Sequence, residues 1–423
     1  MATHASGAAP ESRTQRAIDI VIVGAGQAGL ATSYYLTQAG REHVVLEASD
    51  RVGGSWRKRW DSFCLVSPNW ASALPGLPYD GPDPDGFMLR DEVVSYLERY
   101  ARLIDAPIRN RTRVRALRAR DREGFTLDTD DGPINAHKVV VATGAFQSPR
   151  IPSISRDLPR RILQLHTDEY RNEQALPPGA VVVVGSGQSG AQIVEELHEA
   201  GRSVFLCVSK CGRQRRRYRG KDISYWAYQI LDRGAEVGVP PRTVDTLPSP
   251  AAKFACNPHL SGHGGGHEIN LRRLGADGVV LLGHFEAAEG ERARFADDLE
   301  ANLQFSDEFF AKMVQPDFDR FIELAGIDAP ADPEAQVAYE PPAVPELDLA
   351  KAGVGSVIWT TGYRPAFGWI DIPIFELDGY PRHRRGVTEV PGLFFIGLHW
   401  LHTFTSGLIG GVGIDAKYLV DQI

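Results

Sequence analysis

Apolar positions in this chain gather into short buried-type runs, and two of the runs lead into the same kind of turn. Ile18 to Val23 reads as a strand. It passes through Gly24-Ala25-Gly26-Gln27-Ala28-Gly29 into a helical pattern that ends near Ala39, with Gly40 as its stop. A second strand, Val44 to Leu46, ends at Glu47. Strand, glycine turn, helix and strand in this order predict a dinucleotide-binding unit. The glycines let the backbone approach a pyrophosphate, and the helix N-terminus stabilises its charge. Glu47, 23 residues after Gly24, stands where a carboxylate accepts hydrogen bonds from ribose hydroxyls.

The pattern repeats. Ala180 to Val184 is a buried-type strand, Gly185-Ser186-Gly187-Gln188-Ser189-Gly190 is the turn, and a helix runs to about Ala200 before Gly201. The next strand, Ser203 to Val208, ends in Ser209-Lys210 with Arg213 beyond it, and no acid follows. Hydroxyl, lysine and arginine donors bind a ribose 2′-phosphate that a carboxylate would repel, so this second site is expected to prefer NADP(H). Arg215, Arg216, Arg217 and Arg219 extend the basic run, equally as a solvated face.

Two further strands end in glycine turns: Lys138 to Val141 before Ala142-Thr143-Gly144, and Val357 to Thr360 before Thr361-Gly362-Tyr363. If the C-terminal strands share a sheet with the N-terminal unit, the second unit is an insertion. The fold class is then α/β, with two Rossmann-type dinucleotide-binding domains and the NADPH domain inserted into a discontinuous FAD domain. The proline-rich segments Pro149–Pro152 and Pro341–Pro345 mark the boundaries: a loose tail at 1–17, one domain from 18–150 and 345–423, the other from 151–344.

Composition narrows the function classes. A length of 423 residues allows two or three domains at roughly 100–200 residues each. Apolar residues at 43% and charged residues at 24% describe an ordinary globular protein. A net charge of −8 argues against nucleic acid and anionic membrane surfaces as partners and leaves small molecules. No run approaches the roughly 20 apolar residues of a membrane span, and the polar N-terminus carries no signal-peptide pattern, so a cytoplasmic location is expected. Cys64, Cys207, Cys211 and Cys256 are too scattered for a disulfide framework, and Cys207 and Cys211 lack the two-residue spacing of a redox-active thiol pair.

Residues 211–341 are less legible. Tyr225-Trp226-Ala227-Tyr228 and the phenylalanines between Phe295 and Leu324 fit either a substrate pocket or plain core. His259, His263 and His267 are evenly spaced, but Gly262, Gly264, Gly265 and Gly266 would break any helix aligning them, so the stretch reads as a glycine-rich loop and not a metal site.

Two dinucleotide turns, Gly53-Gly54-Ser55-Trp56 after the first acid and Thr361-Gly362-Tyr363 late in the chain give a resemblance. The chain is similar to the flavin-containing monooxygenases, a group of class B flavoprotein monooxygenases, and within them to compact bacterial flavoproteins labelled as potassium-transport-related. Leu65-Val66-Ser67-Pro68-Asn69-Trp70, Arg217 to Asp222, Ser261 to Leu274 and Gly397 to His402 carry the likeness, which covers nearly everything past Ile18. The family's interdomain fingerprint survives as His166 and Tyr170, while Arg160 and Ile162 replace its first half. A linker-holding role for His166 fits better than direct catalysis.

The resemblance implies FAD on the first turn and NADPH on the second. FAD contacts would come from Gly24, Gly26, Gln27, Ala28, Gly29, Glu47, Gly397 and Leu398, and further cofactor contacts, unassigned between the two nucleotides, from Gly54, Ser55, Trp56, Val114, Ala142, Thr143, Gly144, Thr361 and Gly362. NADPH contacts would come from Gly185 to Gly190, Ser209, Lys210 and Arg213. It implies that NADPH reduces FAD, that a C4a-(hydro)peroxyflavin forms with O2, and that a small organic substrate is oxygenated. Tyr170, where Baeyer–Villiger relatives carry Trp, favours nitrogen or sulfur over ketones. Ketone oxygenation, an NADPH oxidase or flavin reductase, and a nucleotide-sensing flavoprotein remain open, as does oligomeric state. Asn69 is the side chain expected beside flavin and peroxide, with Ser67 as fallback and His399 as candidate proton donor.

Overall fold

A computed structural model of the protein describes residues 17–120, 124–333 and 337–423, so the tail expected at 1–17 lies, except for Ala17, outside the described residues. Two sheets organise the chain. In the first, strand order is Ile370–Asp371, Val114–Ala119, Phe125–Thr129, Gly132–Val141, Ile18–Val23, His43–Leu46 and Ile108–Arg109, with Leu393–Phe395 also pairing with Gly132–Val141. In the second, five parallel strands run in the order Val280–Leu282, Val204–Cys207, Ala180–Val184, Val354–Trp359 and Leu163–His166. Ala180–Val184 is buried along its whole length because helices and loops cover both faces of a parallel sheet, which is why it reads as an unbroken valine run.

The strand Val354–Trp359 corrects one expectation. It lies inside the second sheet, between Ala180–Val184 and the edge strand Leu163–His166, and not with the C-terminal part of the first, and Glu346–Asp348 pairs with Arg292–Phe295 beside that second sheet. The chain therefore returns to the first sheet at the Gly362 turn, not in the Pro341–Pro345 segment. A buried apolar run carries the same pattern in either parallel sheet, and only its pairing assigns it.

The two crossings run side by side. Ser148–Pro149 pairs antiparallel with Tyr363–Arg364, and the Arg150 N–H donates to Gly362 O at 2.9 Å. Buried His166 donates from Nε2 to the same carbonyl at 3.1 Å and meets Tyr363 edge-on, with ring centroids 5.0 Å apart. It fastens the hinge strand to the second sheet.

The aromatics of 211–341 divide between core and surface. Tyr218, Trp226, Phe310, Phe318 and Phe321 are buried together with Ile223, Ile230 and Ile322 in a separate apolar cluster. The helix Ile223–Arg233 reaches the first domain, where the Tyr228 hydroxyl donates to Ala71 O at 3.1 Å and its ring meets Trp70.

Candidate functional site

The first glycine turn has three glycines in three physical roles. Gly24 sits at φ +111°, and a Cβ there would fall 2.7 Å from Ala142 O on the returning strand. A Cβ on Gly29 would fall 1.9 Å from Gly24 O, so only glycine lets the helix Gln27–Gln38 pack this close to its strand. Gly26 faces open space, with nothing within 4 Å of its missing Cβ. This is the cradle an FAD pyrophosphate needs, at a helix N-terminus whose free N–H groups favour anions.

Around this cradle, Glu47 accepts from the Ala25 N–H at 2.9 Å and the Ser49 N–H at 2.8 Å, which fixes its carboxylate at the end of its strand. Val114 begins a strand two residues after Thr112, whose N–H donates to Glu47 O at 2.8 Å. Gln27 joins three segments: the Trp56 indole N–H donates to its Oε1 at 3.0 Å, and its Nε2 donates to Gly407 O at 3.2 Å. Gly54 packs on Ser49, while Ser55 is exposed. Thr143 accepts from Gln147 at 2.8 Å, and Gly144 at φ +74° has open space beside it. Gly397 lies against Ala28, where a Cβ would come within 2.7 Å, and Leu398 is buried in the first core.

The second turn repeats the frame. Gly185 is at φ +106° with Thr360 O 3.0 Å from its Cβ position, and a Cβ on Gly190 would fall 2.0 Å from Gly185 O. Thr361 and Gly362 follow directly in the hinge, where Thr361 Oγ1 donates to Arg150 O. The second turn differs in being covered. His259 donates from Nε2 to Ser186 O, Gln188 Oε1 accepts from the Leu260 N–H at 3.1 Å, and the Cys256 Cβ lies 3.5 Å from the Cβ position of Gly187. Burial holds His259 neutral, with its pKa pushed down to about 4. Ser186 and Ser209 hydrogen-bond each other's chains at 2.9 and 3.1 Å, and Ser189 lies in the first turn of the helix Gln188–Glu199.

The expected phosphate readers separate. Lys210 is exposed at the mouth of this turn with its ammonium 4.7 Å above the Phe305 ring. Arg213 is buried, 3.2 Å from Glu268 and 3.8 Å from Asp307. Its charge is met inside the protein. A basic residue near a strand end gives no sequence signal for carboxylates that arrive from residues 268 and 307.

Asn69 and Ser67 come together on one turn. Asn69 is buried, its Nδ2 donates to Asp83 O at 2.9 Å, and its Oδ1 has no hydrogen-bond partner. Ser67 O accepts from Ser72 Oγ at 3.3 Å. Buried Arg216 reaches across from the second domain and donates to Val66 O at 3.0 and 2.8 Å, pinning this turn. A buried acceptor without a partner costs on the order of 1–3 kcal/mol, and such a group marks a place for a ligand donor.

His399 is in a different group. Its ring meets Phe146 at 5.2 Å, Phe146 carries the Arg59 guanidinium at 4.8 Å and meets Tyr363 at 5.1 Å, and the Tyr363 hydroxyl donates to Asp168. Burial, with Arg59 in support, pulls the His399 pKa down, so its imidazole is neutral at pH 7. A cleft of about 430 Å³ beside this group is lined by Lys58, Gln147, His166, Asp168, Glu169 and Arg171. Arg59, Phe146 and Asp168 carried no motif in the sequence. His259 and His267 have separate partners, Ser186 O and Glu195.

A fold with two such turns facing one interdomain hinge is that of the flavin monooxygenases and related two-nucleotide oxidoreductases. The profile of the family described as pyridine nucleotide-disulphide oxidoreductase matches residues 21–240. The chain belongs to that family. It is 34% identical over 421 residues to the "Uncharacterized oxidoreductase CzcO-like" of Geobacillus kaustophilus, covering 97% of this chain and 99% of that one. It is 33% identical over 191 residues to rice (Oryza sativa subsp. japonica) indole-3-pyruvate monooxygenase YUCCA1, covering 44% of this chain and 47% of the plant protein. Among solved structures, a flavin-containing monooxygenase from Stenotrophomonas maltophilia shares the fold with a TM-score of 0.66 at 20% identity, covering 96% of this chain and 98% of that one. The chain is an oxidoreductase. No helix among the described residues is long and apolar enough to cross a membrane.

Proposed function

We propose that this oxidoreductase is an FAD- and NADPH-dependent monooxygenase acting on nitrogen or sulfur of a small organic molecule. The observation that carries the reading is the duplication of one glycine geometry, Gly24/Gly26/Gly29 and Gly185/Gly187/Gly190, on two sheets joined at one hinge. The monooxygenase relative and the shared fold support it.

Bound FAD supplies hydride acceptance from NADPH and, once reduced, the activation of O2. The residues do the rest. Gly26 and the first N–H groups of Gln27–Gln38 receive the FAD pyrophosphate, and Glu47 exchanges its backbone donors for ribose hydroxyls. Ser209 and Lys210 receive the ribose 2′-phosphate of NADPH, with Arg213 kept for internal ion pairs. Asn69, held by Asp83, offers its unpartnered Oδ1 as a hydrogen-bond acceptor in a water-poor site. Neutral His399 has one ring N–H and one ring acceptor to offer and is not the imidazolium that a general acid at pH 7 needs.

The test is steady-state NADPH consumption with a trialkylamine, a thioether and a cyclic ketone, with products identified by mass. The reading expects an N-oxide or sulfoxide. An ester from the ketone would move the protein to Baeyer–Villiger chemistry, and peroxide equal to NADPH consumed with every substrate would make it an oxidase.

A further inference from the structure

Cys211 and Cys256 are 44 residues apart in the intervening chain, yet the fold sets their segments side by side. Arg213 and His259 form a parallel bridge, the His259 N–H donates to Gly212 O at 2.7 Å, and the Gln214 N–H donates to His259 O at 3.1 Å. Each thiol then reaches the backbone next to the other. Cys211 Sγ lies 3.4 Å from Asn257 O, and Cys256 Sγ lies 3.8 Å from Lys210 O. The two thiols are near enough to shift each other's titration, Cys211 up and Cys256 down. Cys211 is buried and Cys256 is exposed, so a reagent has access to one partner of the pair.

The neighbourhood gives the pair a consequence. Cys256 stands over Gly187, and Lys210 adjoins Cys211. We propose that Cys211 and Cys256 are a peroxide-oxidisable thiol pair whose disulfide weakens dinucleotide binding at the second glycine turn. This rests on reading that turn as the NADPH site. The exposed Cys256 thiolate attacks one oxygen of hydrogen peroxide, forming an S–O bond and breaking O–O, and water leaves. Cys211 sulfur then displaces the hydroxyl from the Cys256 sulfenic acid, forming S–S and a second water. The two thiols lose two electrons and two protons, and the peroxide gains them. The cross-link fastens the Cys256–Leu260 strap to Cys211, next to Lys210, closing the space over Gly187. The neighbouring Cys211 thiol favours the Cys256 thiolate, while burial pushes the thiols of Cys207 and Cys64 up, Cys64 to about 11, leaving those two inert.

The test treats the holoprotein with hydrogen peroxide, maps peptides without reduction, and titrates NADPH by fluorescence before and after dithiothreitol. The expected result is a Cys211–Cys256 cross-linked peptide with about tenfold weaker NADPH binding, restored by reductant. The Cys211→Ala variant should yield no cross-link and no reductant-dependent change in affinity. Absence of this cross-link, or a cross-link that leaves affinity unchanged, overturns the proposal. A reduced protein that binds no NADPH overturns the nucleotide-site reading together with this one, whereas normal binding without a cross-link removes this one alone.

Discussion

Gly24 and Gly185 occupy the same backbone state on two different sheets, at φ +111° and +106°, each with its Cβ position closed by the carbonyl of a neighbouring strand end, Ala142 and Thr360. The third glycine of each turn is likewise closed, by Gly24 O and Gly185 O. The second glycine is different, and that difference separates folding from binding.

Gly26→Ala and Gly29→Ala should therefore part company. Gly26 has φ −82° and free space, so alanine there leaves the thermal midpoint nearly unchanged and removes FAD. Gly29→Ala forces a Cβ to 1.9 Å from Gly24 O and should cost more than about 2 kcal/mol. Calorimetry alongside flavin absorbance checks both. Equal flavin content in Gly26→Ala would remove the first turn from the FAD site.

Lys210 and Arg213 predict opposite phenotypes. Lys210→Ala should raise KM for NADPH about tenfold and leave NADH use unchanged, as expected for loss of one charge-assisted contact. Arg213→Ala leaves Glu268 without its 3.2 Å ion pair, while Asp307 keeps Arg272 at 2.7 Å, and should destabilise the fold by about 1 kcal/mol with no change in the NADPH/NADH ratio. Steady-state kinetics with both nucleotides and denaturant melts separate the two.

Asn69→Ala should retain NADPH-driven flavin reduction while peroxide release per NADPH rises, because the acceptor at Oδ1 is lost. Reduction and peroxide assays give the split. Lost reduction with unchanged peroxide yield would place Asn69 elsewhere in the cycle.

His259 makes stability fall in acid. Its folded pKa, about 4, lies below the ordinary value of 6.5, so the folded state resists protonation that the unfolded chain accepts. The contribution is complete above pH 6.5, is lost as pH falls from 6.5 to 4, and changes no further below that. A shift of this size corresponds to about 3 kcal/mol. His259→Gln, which can still donate to Ser186 O, should flatten this part of the stability–pH curve in denaturant titrations.

What the sequence made legible was local. Glycine turns, the Glu47 acid and the valine strand follow from spacing because each lies within one unit of chain. Membership of Val354–Trp359 in the second sheet was not legible, since its partners Leu163–His166 and Ala180–Val184 lie far back along the chain. The same distance hid the carboxylates beside Arg213, the Arg59–Phe146–His399 group, and the meeting of Cys211 with Cys256. Asn69 was legible as a residue, but not its unpartnered Oδ1, which depends on Asp83 taking the other end of the amide.

The most direct test of the account is anaerobic stopped-flow absorbance of the purified protein mixed with NADPH or NADH. The account predicts equimolar bound FAD, bleached faster by NADPH than by NADH, with that preference lost in Lys210→Ala. A protein without flavin, or a flavin that neither nucleotide bleaches, would contradict it.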